Sequence, residues 1–136
     1  TWNGVPLLYN GQELPMKTKR LEFFEKDPIP WNGKFELEDF YKTLLTLKSE
    51  NPALRGGDPA VTTFWINTTA NDKVLAYLRN KEVLVLINTS KDAINFKLED
   101  DHSVGSYKNV FSKAKAEFAK GSDVKLDAYG YLVFEK

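Results

Sequence analysis

The chain has 136 residues, of which 42% are apolar and 28% charged, the composition of a globular protein long enough to bury a core. Nineteen Lys and Arg balance nineteen Asp and Glu, so no basic stripe is available to track a phosphate backbone, and nucleic acid is not an expected partner. With no Cys, disulfides and thiolate metal sites are excluded, and no apolar run approaches the roughly 20 residues of a membrane span.

The first element lies in "NGVPLLYNGQEL", residues 3–14. It reads as a turn, a short apolar strand over Val5 to Tyr9, and a polar loop ending in Glu13. Parallel barrels and open α/β sheets present functional loops in this way, at the ends of apolar strands. No earlier segment supplies the neighbouring strands, so the strand either belongs to a sheet outside the chain or joins a later sheet as an edge. Next, "FELEDFYKTLLTLKSENPAL" sets Leu37, Phe40, Tyr41, Leu44 and Leu45 on one helical face. Glu36, Glu38 and Asp39 crowd its first turn and Lys48 its last, the signs that the helix dipole prefers. Asn51-Pro52 stops it, and the pattern predicts a helix over 36–49.

From about Asp58 the period changes. "AINFKLED" alternates, with Ile94, Phe96 and Leu98 on one face and Asn95, Lys97 and Glu99 on the other. "VLAYLRN" and "YGYLVFEK" are rich in aromatic and β-branched residues, and Val83 to Ile87 is apolar throughout, as for a strand covered on both faces. Turn clusters at 68–72, 80–81, 89–92, 100–106 and 121–123 separate roughly five to seven short strands, the inventory of an antiparallel sandwich or barrel. Gly56-Gly57-Asp58-Pro59 is the expected boundary, dividing the chain into residues 1–57 and 58–136.

"GVPLLYNGQEL", "FFEKDPIPW" and "FYKTLLTLKSENPALRGG", in that order, resemble the end of the catalytic barrel of the α-amylase family of glycoside hydrolases. The β-rich remainder, ending in "LDAYGYLVFE", resembles that family's C-terminal domain C. The resemblance implies a mostly β fold with a helical N-terminal extension: an antiparallel β-sandwich preceded by the last strand and last helix of a (β/α)8 barrel. It further implies that the chain is the C-terminal part of a longer hydrolase acting on α-glucans such as starch or maltodextrins. In such a parent this portion would be structural and non-catalytic.

Retaining glycosidases need two carboxyl groups about 5 to 5.5 Å apart. The resemblance puts both on barrel strands ahead of Thr1, so no catalytic residue is expected here and the chain alone should be inactive. Glu13 then shapes the active-site wall or anchors its loop, while Tyr9, Glu13 and Trp65 stand as candidate sugar contacts. Trp31 is expected to pack its loop, and Asp27 reads as a turn or cap residue. His102, the single histidine, reads as a solvated turn residue in "DDHSV". The acids of Leu98 to Asp101 lack the spaced pattern of a calcium loop, so no cofactor is expected in the chain, and calcium is left to the parent. Two triplets, Asn67-Thr68-Thr69 and Asn88-Thr89-Ser90, match the glycosylation pattern.

A second reading makes the sandwich a carbohydrate-binding module that retains starch-like polymer through an exposed Trp. A third is an unrelated β domain with a helical extension. The apolar strand and helix stripe also predict self-association of the chain alone. Thr1 to Asn10 lacks the basic start of a signal peptide. For the parent, secretion or the periplasm is favoured over the cytoplasm.

Overall fold

In a computed structural model that describes residues 1–14, 22, 24–31 and 33–136, the alternating second half becomes two antiparallel sheets. The strands are β1 (Thr63–Trp65), β2 (Val74–Arg79), β3 (Val83–Asn88), β4 (Ile94–Lys97), β5 (Gly105–Asn109), β6 (Lys115–Phe118), β7 (Asp123–Leu126) and β8 (Tyr131–Glu135). The larger sheet runs β1-β2-β3-β8-β5-β6, and β4 pairs with β7 in the smaller one. Phe23, within the second quoted motif, lies outside the described residues.

The apolar run of β3 faces two ways because successive side chains leave opposite faces of a strand. Leu84 and Leu86 join Phe96, Leu98, Val124 and Leu126 in the core between the sheets, while Val83 and Val85 join a second cluster on the outer face. That cluster is closed by Leu47, Ala53 and Leu54, supplied by a helix and the short turn after it. A central strand of an antiparallel sheet therefore carries an unbroken apolar sequence, here because a helix covers the face that usually meets water.

The β2–β3 hairpin turns through Asn80 and Lys81, both with positive φ (45° and 61°), the geometry whose twist matches that of paired strands. Asn88, at the end of β3, is fully buried. Its amide nitrogen donates to the carbonyls of Asp92 and Asp127 at 2.8 Å each, and its oxygen accepts from the Ser90 N–H and hydroxyl. One side chain thus ties two turns that are distant in sequence, and the fold as described leaves no place for a glycan on it.

The helix α1 runs Glu38–Glu50, beginning two residues later than the acidic cluster suggests. Asn51 ends it and at once opens a 3-10 turn over Pro52–Leu54 by accepting from the Ala53 N–H. The strand expected at Val5 to Tyr9 does not form within this chain: these residues have no ladder partners among the described residues, and Val5 and Leu7 are 88% and 83% exposed. A strand exists only with a neighbour to take its N–H and C=O groups, and β-propensity alone does not supply one. Among the described residues no helix is long and apolar enough to cross a membrane.

Candidate functional site

The first and second halves of the chain meet along α1. Its apolar residues Phe40, Tyr41, Leu44, Leu45 and Leu47 spread over an arc of about 160° at 3.6 residues per turn, too wide for one contact. One side of the arc serves the sandwich. Phe40 stacks on Phe111 at 5.8 Å and meets Tyr131 edge-on at 5.5 Å, and Leu47 enters the outer cluster with Leu44 beside it. The other side, Tyr41 and Leu45, opens onto grooves shared with Leu8, Tyr9, Glu13 and Phe35.

The first four residues are pinned over the end of this junction. Trp2 lies 5.2 Å from Trp65 and meets Tyr77 edge-on at 5.0 Å, while Thr1 Oγ1 and the Tyr77 hydroxyl share a 2.8 Å hydrogen bond. Lys48 Nζ donates to the Gly4 carbonyl at 2.7 Å and to the Leu54 carbonyl as well. The Gly4 carbonyl also passes so close to Gly56 that a Cβ there would stand 2.5 Å from its oxygen. Glycine at 56 is therefore a matter of space, since its backbone is not among those with positive φ.

Burial governs the titration of these groups. It lowers the Lys48 ammonium from its ordinary value, with the Arg79 charge adding to the effect. It raises the Tyr77 phenol, against smaller opposing effects of the bond to Thr1 and of Arg79. Arg79, on β2 and sharing the outer face with Tyr77, is 1% exposed. Its Nη1 donates to the Thr63 hydroxyl, but Nε and Nη2 are buried without an acceptor among the described residues.

Of the residues singled out by sequence, Tyr9 and Glu13 line one groove together. Turns through Gly11 hold that loop: the Tyr9 N–H donates to the Gln12 side chain, and the Glu13 carbonyl accepts from the Leu37 N–H. Trp65 is elsewhere, on β1 against Trp2, and 58% exposed. Trp31 touches Phe35 and is also exposed. Asp27 accepts from the Glu22 backbone N–H.

His102 sits in a short turn (Asp101–Ser103), stacked on Phe64 at 4.9 Å, with Nδ1 2.6 Å from Asp100. Asp100 caps that turn. The His102 backbone N–H holds its carboxyl below the usual range, burial opposes, and the His102 side chain adds a further hydrogen bond. Asp101 pairs instead with Lys120 at 3.1 Å. Adjacent acids thus serve separate partners, and no group of three metal-ligating side chains converges among the described residues.

The sequence reading placed Lys48 only at the end of the helix and Gly56 only at the domain boundary, and it passed over Arg79. Arg79 left one signal there, a charge inside the run "VLAYLRN" at the alternation step of Tyr77.

Residues 66–133 match the family model described as Maltogenic Amylase, C-terminal domain. Over 141 residues the chain is 26% identical to a maltogenic alpha-amylase of Bacillus acidopullulyticus, a match that covers 99% of this chain and 24% of that protein. Against Alpha-amylase 2 of Dictyoglomus thermophilum, identity is 30% over 121 residues, 81% of this chain and 20% of the relative. The crystal structure of a noncanonic maltogenic alpha-amylase from Thermotoga neapolitana shares the fold, with a TM-score of 0.78 at 20% identity over 100% of this chain and 34% of that one. The chain spans about a quarter or less of the length of these curated relatives.

Proposed function

The chain belongs to the maltogenic amylase C-terminal domain family, and on that premise we propose that it is the structural, non-catalytic portion of a longer α-amylase-like hydrolase acting on α-glucans such as starch or maltodextrins. Its work is to cover α1 from the outside while the catalytic portion covers it from the inside. The single observation behind this reading is the two-sided helix. Phe40, Leu44 and Leu47 are occupied by the sandwich, while Leu45 and the neighbouring Val5, Leu7, Tyr9 and Phe35 are exposed. Contiguous apolar surface of that kind marks a place where another element docks. The carboxyl pair of a retaining glycosidase is assigned to the longer protein, with Tyr9 and Glu13 at the rim of its site.

Release of reducing sugar from soluble starch and from maltodextrins tests the reading. Turnover is expected from the longer protein and none from this chain alone. Robust turnover by the chain, or a longer protein inert on every α-glucan, would sink it. The same exposed face supports pairing between copies of the isolated chain, which a size measurement across a dilution series reads.

A second reading has one observation in its favour: Trp65 and Trp2 are adjacent and both about half exposed or more, at 58% and 49%. Two indole faces side by side form a platform for sugar rings. Depletion of the chain from solution by insoluble starch, abolished by Trp65→Ala, is the outcome that reading requires.

A further inference from the structure

We propose that Trp2 and Trp65 form one composite site for an α-glucan chain, and that the site is assembled only while residues 1–4 are seated against the sandwich. This deepens the second reading above and rests on it. The two indoles come from different parts of the chain: Trp2 precedes α1, and Trp65 lies on β1, an edge strand of the larger sheet. They stand 5.2 Å apart, and both lean on the buried Tyr77 ring, Trp2 at 5.0 Å and Trp65 at 6.3 Å. About half of each residue stays exposed, as a stacking platform for sugar rings requires. The two planes are inclined by 45°, so they cannot offer one flat surface. A flat ribbon such as a β-linked glucan fits the pair poorly, and the curved chain of an α-linked glucan fits it better.

Trp2 is held in place through its neighbours. The Thr1 and Tyr77 hydroxyls share a 2.8 Å hydrogen bond, and Lys48 Nζ donates to the Gly4 carbonyl at 2.7 Å. That carbonyl passes over Gly56, where a Cβ would leave it no room. Lys48 and Gly56 are therefore positioning residues, which act on the sugar through Trp2. A site that is assembled only part of the time loses apparent affinity by that fraction. Reciprocally, a ligand that needs the assembled site stabilises it. A glucan lying across both indoles thus holds the first residues down and tightens their tie to the sandwich.

The experiment measures maltoheptaose affinity by calorimetry, and retention on insoluble starch and on cellulose, for the 136-residue chain and its variants. Trp65→Ala is expected to abolish retention on starch, and Trp2→Ala to weaken affinity by about tenfold or more. Gly56→Ala and Lys48→Met keep both indoles. Each should weaken affinity roughly tenfold, as for a seat occupied about a tenth of the time, while the urea midpoint of the sandwich holds. Saturating maltoheptaose should then return the tryptophan fluorescence of both variants to that of the wild-type complex, which a merely structural role of either residue would not bring about. A wild-type chain that binds no starch, or a Trp65→Ala chain that binds it equally well, would sink the second reading together with this proposal. Wild-type affinity in Gly56→Ala and Lys48→Met, with Trp65→Ala unable to bind, would overturn the coupling and leave the platform standing. Equal retention on cellulose and starch would overturn the assignment to an α-glucan. Should Gly56→Ala fail to fold, Lys48→Met decides alone, and a fallen midpoint in that variant would also overturn the coupling.

Discussion

The sandwich and the segment ahead of α1 are built from comparable apolar residues, yet they end in opposite states. Leu84 and Leu86 are sealed between two sheets, whereas Val5, Leu7, Phe24 and Trp31 face solvent. Sequence hydrophobicity does not separate these sets; the supply of backbone partners does. Each core strand finds antiparallel neighbours within the chain, so its side chains are presented in register to a second layer. The described N-terminal residues have equal appetite for burial and no ladder to hold them: Thr1 to Gly4 are held by the Trp2, Thr1 and Lys48 contacts, and the loop at Gly11 by its own turns and the Glu13–Leu37 bond.

The largest expected effect contrasts one leucine from each region. Leu84→Ala should cost about 2 to 5 kcal/mol, the usual range for a buried leucine, while Leu7→Ser should move the stability of the isolated chain by no more than about 0.5 kcal/mol. Urea unfolding followed by circular dichroism measures both. In the longer protein the contrast should narrow, because there Leu7 is expected to be covered. A Leu7 variant that stays neutral in both settings would break the interpretation of the exposed face.

Asn88→Ala should come next, at roughly 1 to 3 kcal/mol, because it removes the buried amide that bonds the carbonyls of Asp92 and Asp127 and the N–H and hydroxyl of Ser90. The loss should appear equally in the isolated chain and the longer protein, since all its partners are internal. Gly56→Ala acts on the other region. The new methyl group meets a backbone oxygen rather than a flexible side chain, so the first residues must lift off, at a cost of about 1 to 3 kcal/mol to whatever docks there. Tryptophan fluorescence should shift as Trp2 leaves Trp65 and Tyr77, while the unfolding midpoint of the sandwich stays nearly constant. A falling midpoint with unchanged fluorescence would show that the clash is absorbed elsewhere.

How much of this was legible follows the same division. Strand positions could be read because alternation and turn chemistry are local: Ile94, Phe96 and Leu98 packed inward as their spacing required, and Asn80-Lys81 made the tight hairpin turn. The helix was legible to within two residues, but its stripe omitted Leu47, the residue most deeply buried on it. Counting one face from Leu37 to Leu45 hides an arc that serves two partners. Val5 to Tyr9, read as a strand with partners outside the chain, forms no ladder within it, because propensity describes a residue's preference and not its neighbours. Arg79 was passed over because a charge in a strand normally marks the solvent face, and nothing in the chain order reveals that this side chain is buried, at 1% exposed. Lys48 was assigned to the helix dipole, whereas its ammonium is spent on the carbonyls of Gly4 and Leu54.

The smallest expected effect belongs to Asp100, which sits within the sandwich region and should be indifferent to the junction. Its carboxyl is held low chiefly by the His102 backbone N–H. A carboxylate with a depressed folded-state pKa contributes stability that is fully present above its unfolded value, about 3.9. That contribution is lost as the pH falls through the unfolded value toward the folded one. Asp100→Asn keeps an acceptor for the cap and removes only the charge, so at pH 7 it should cost on the order of 1 kcal/mol or less. The gap between wild type and variant should then narrow as the pH falls below the unfolded value, because protonation removes the charge that distinguishes the aspartic acid from the amide. Urea midpoints at pH 7 and pH 2.5 measure it in the isolated chain. A gap that persists unchanged at pH 2.5 would mean that the turn depends on side-chain shape, and that the ionised form of Asp100 contributes nothing.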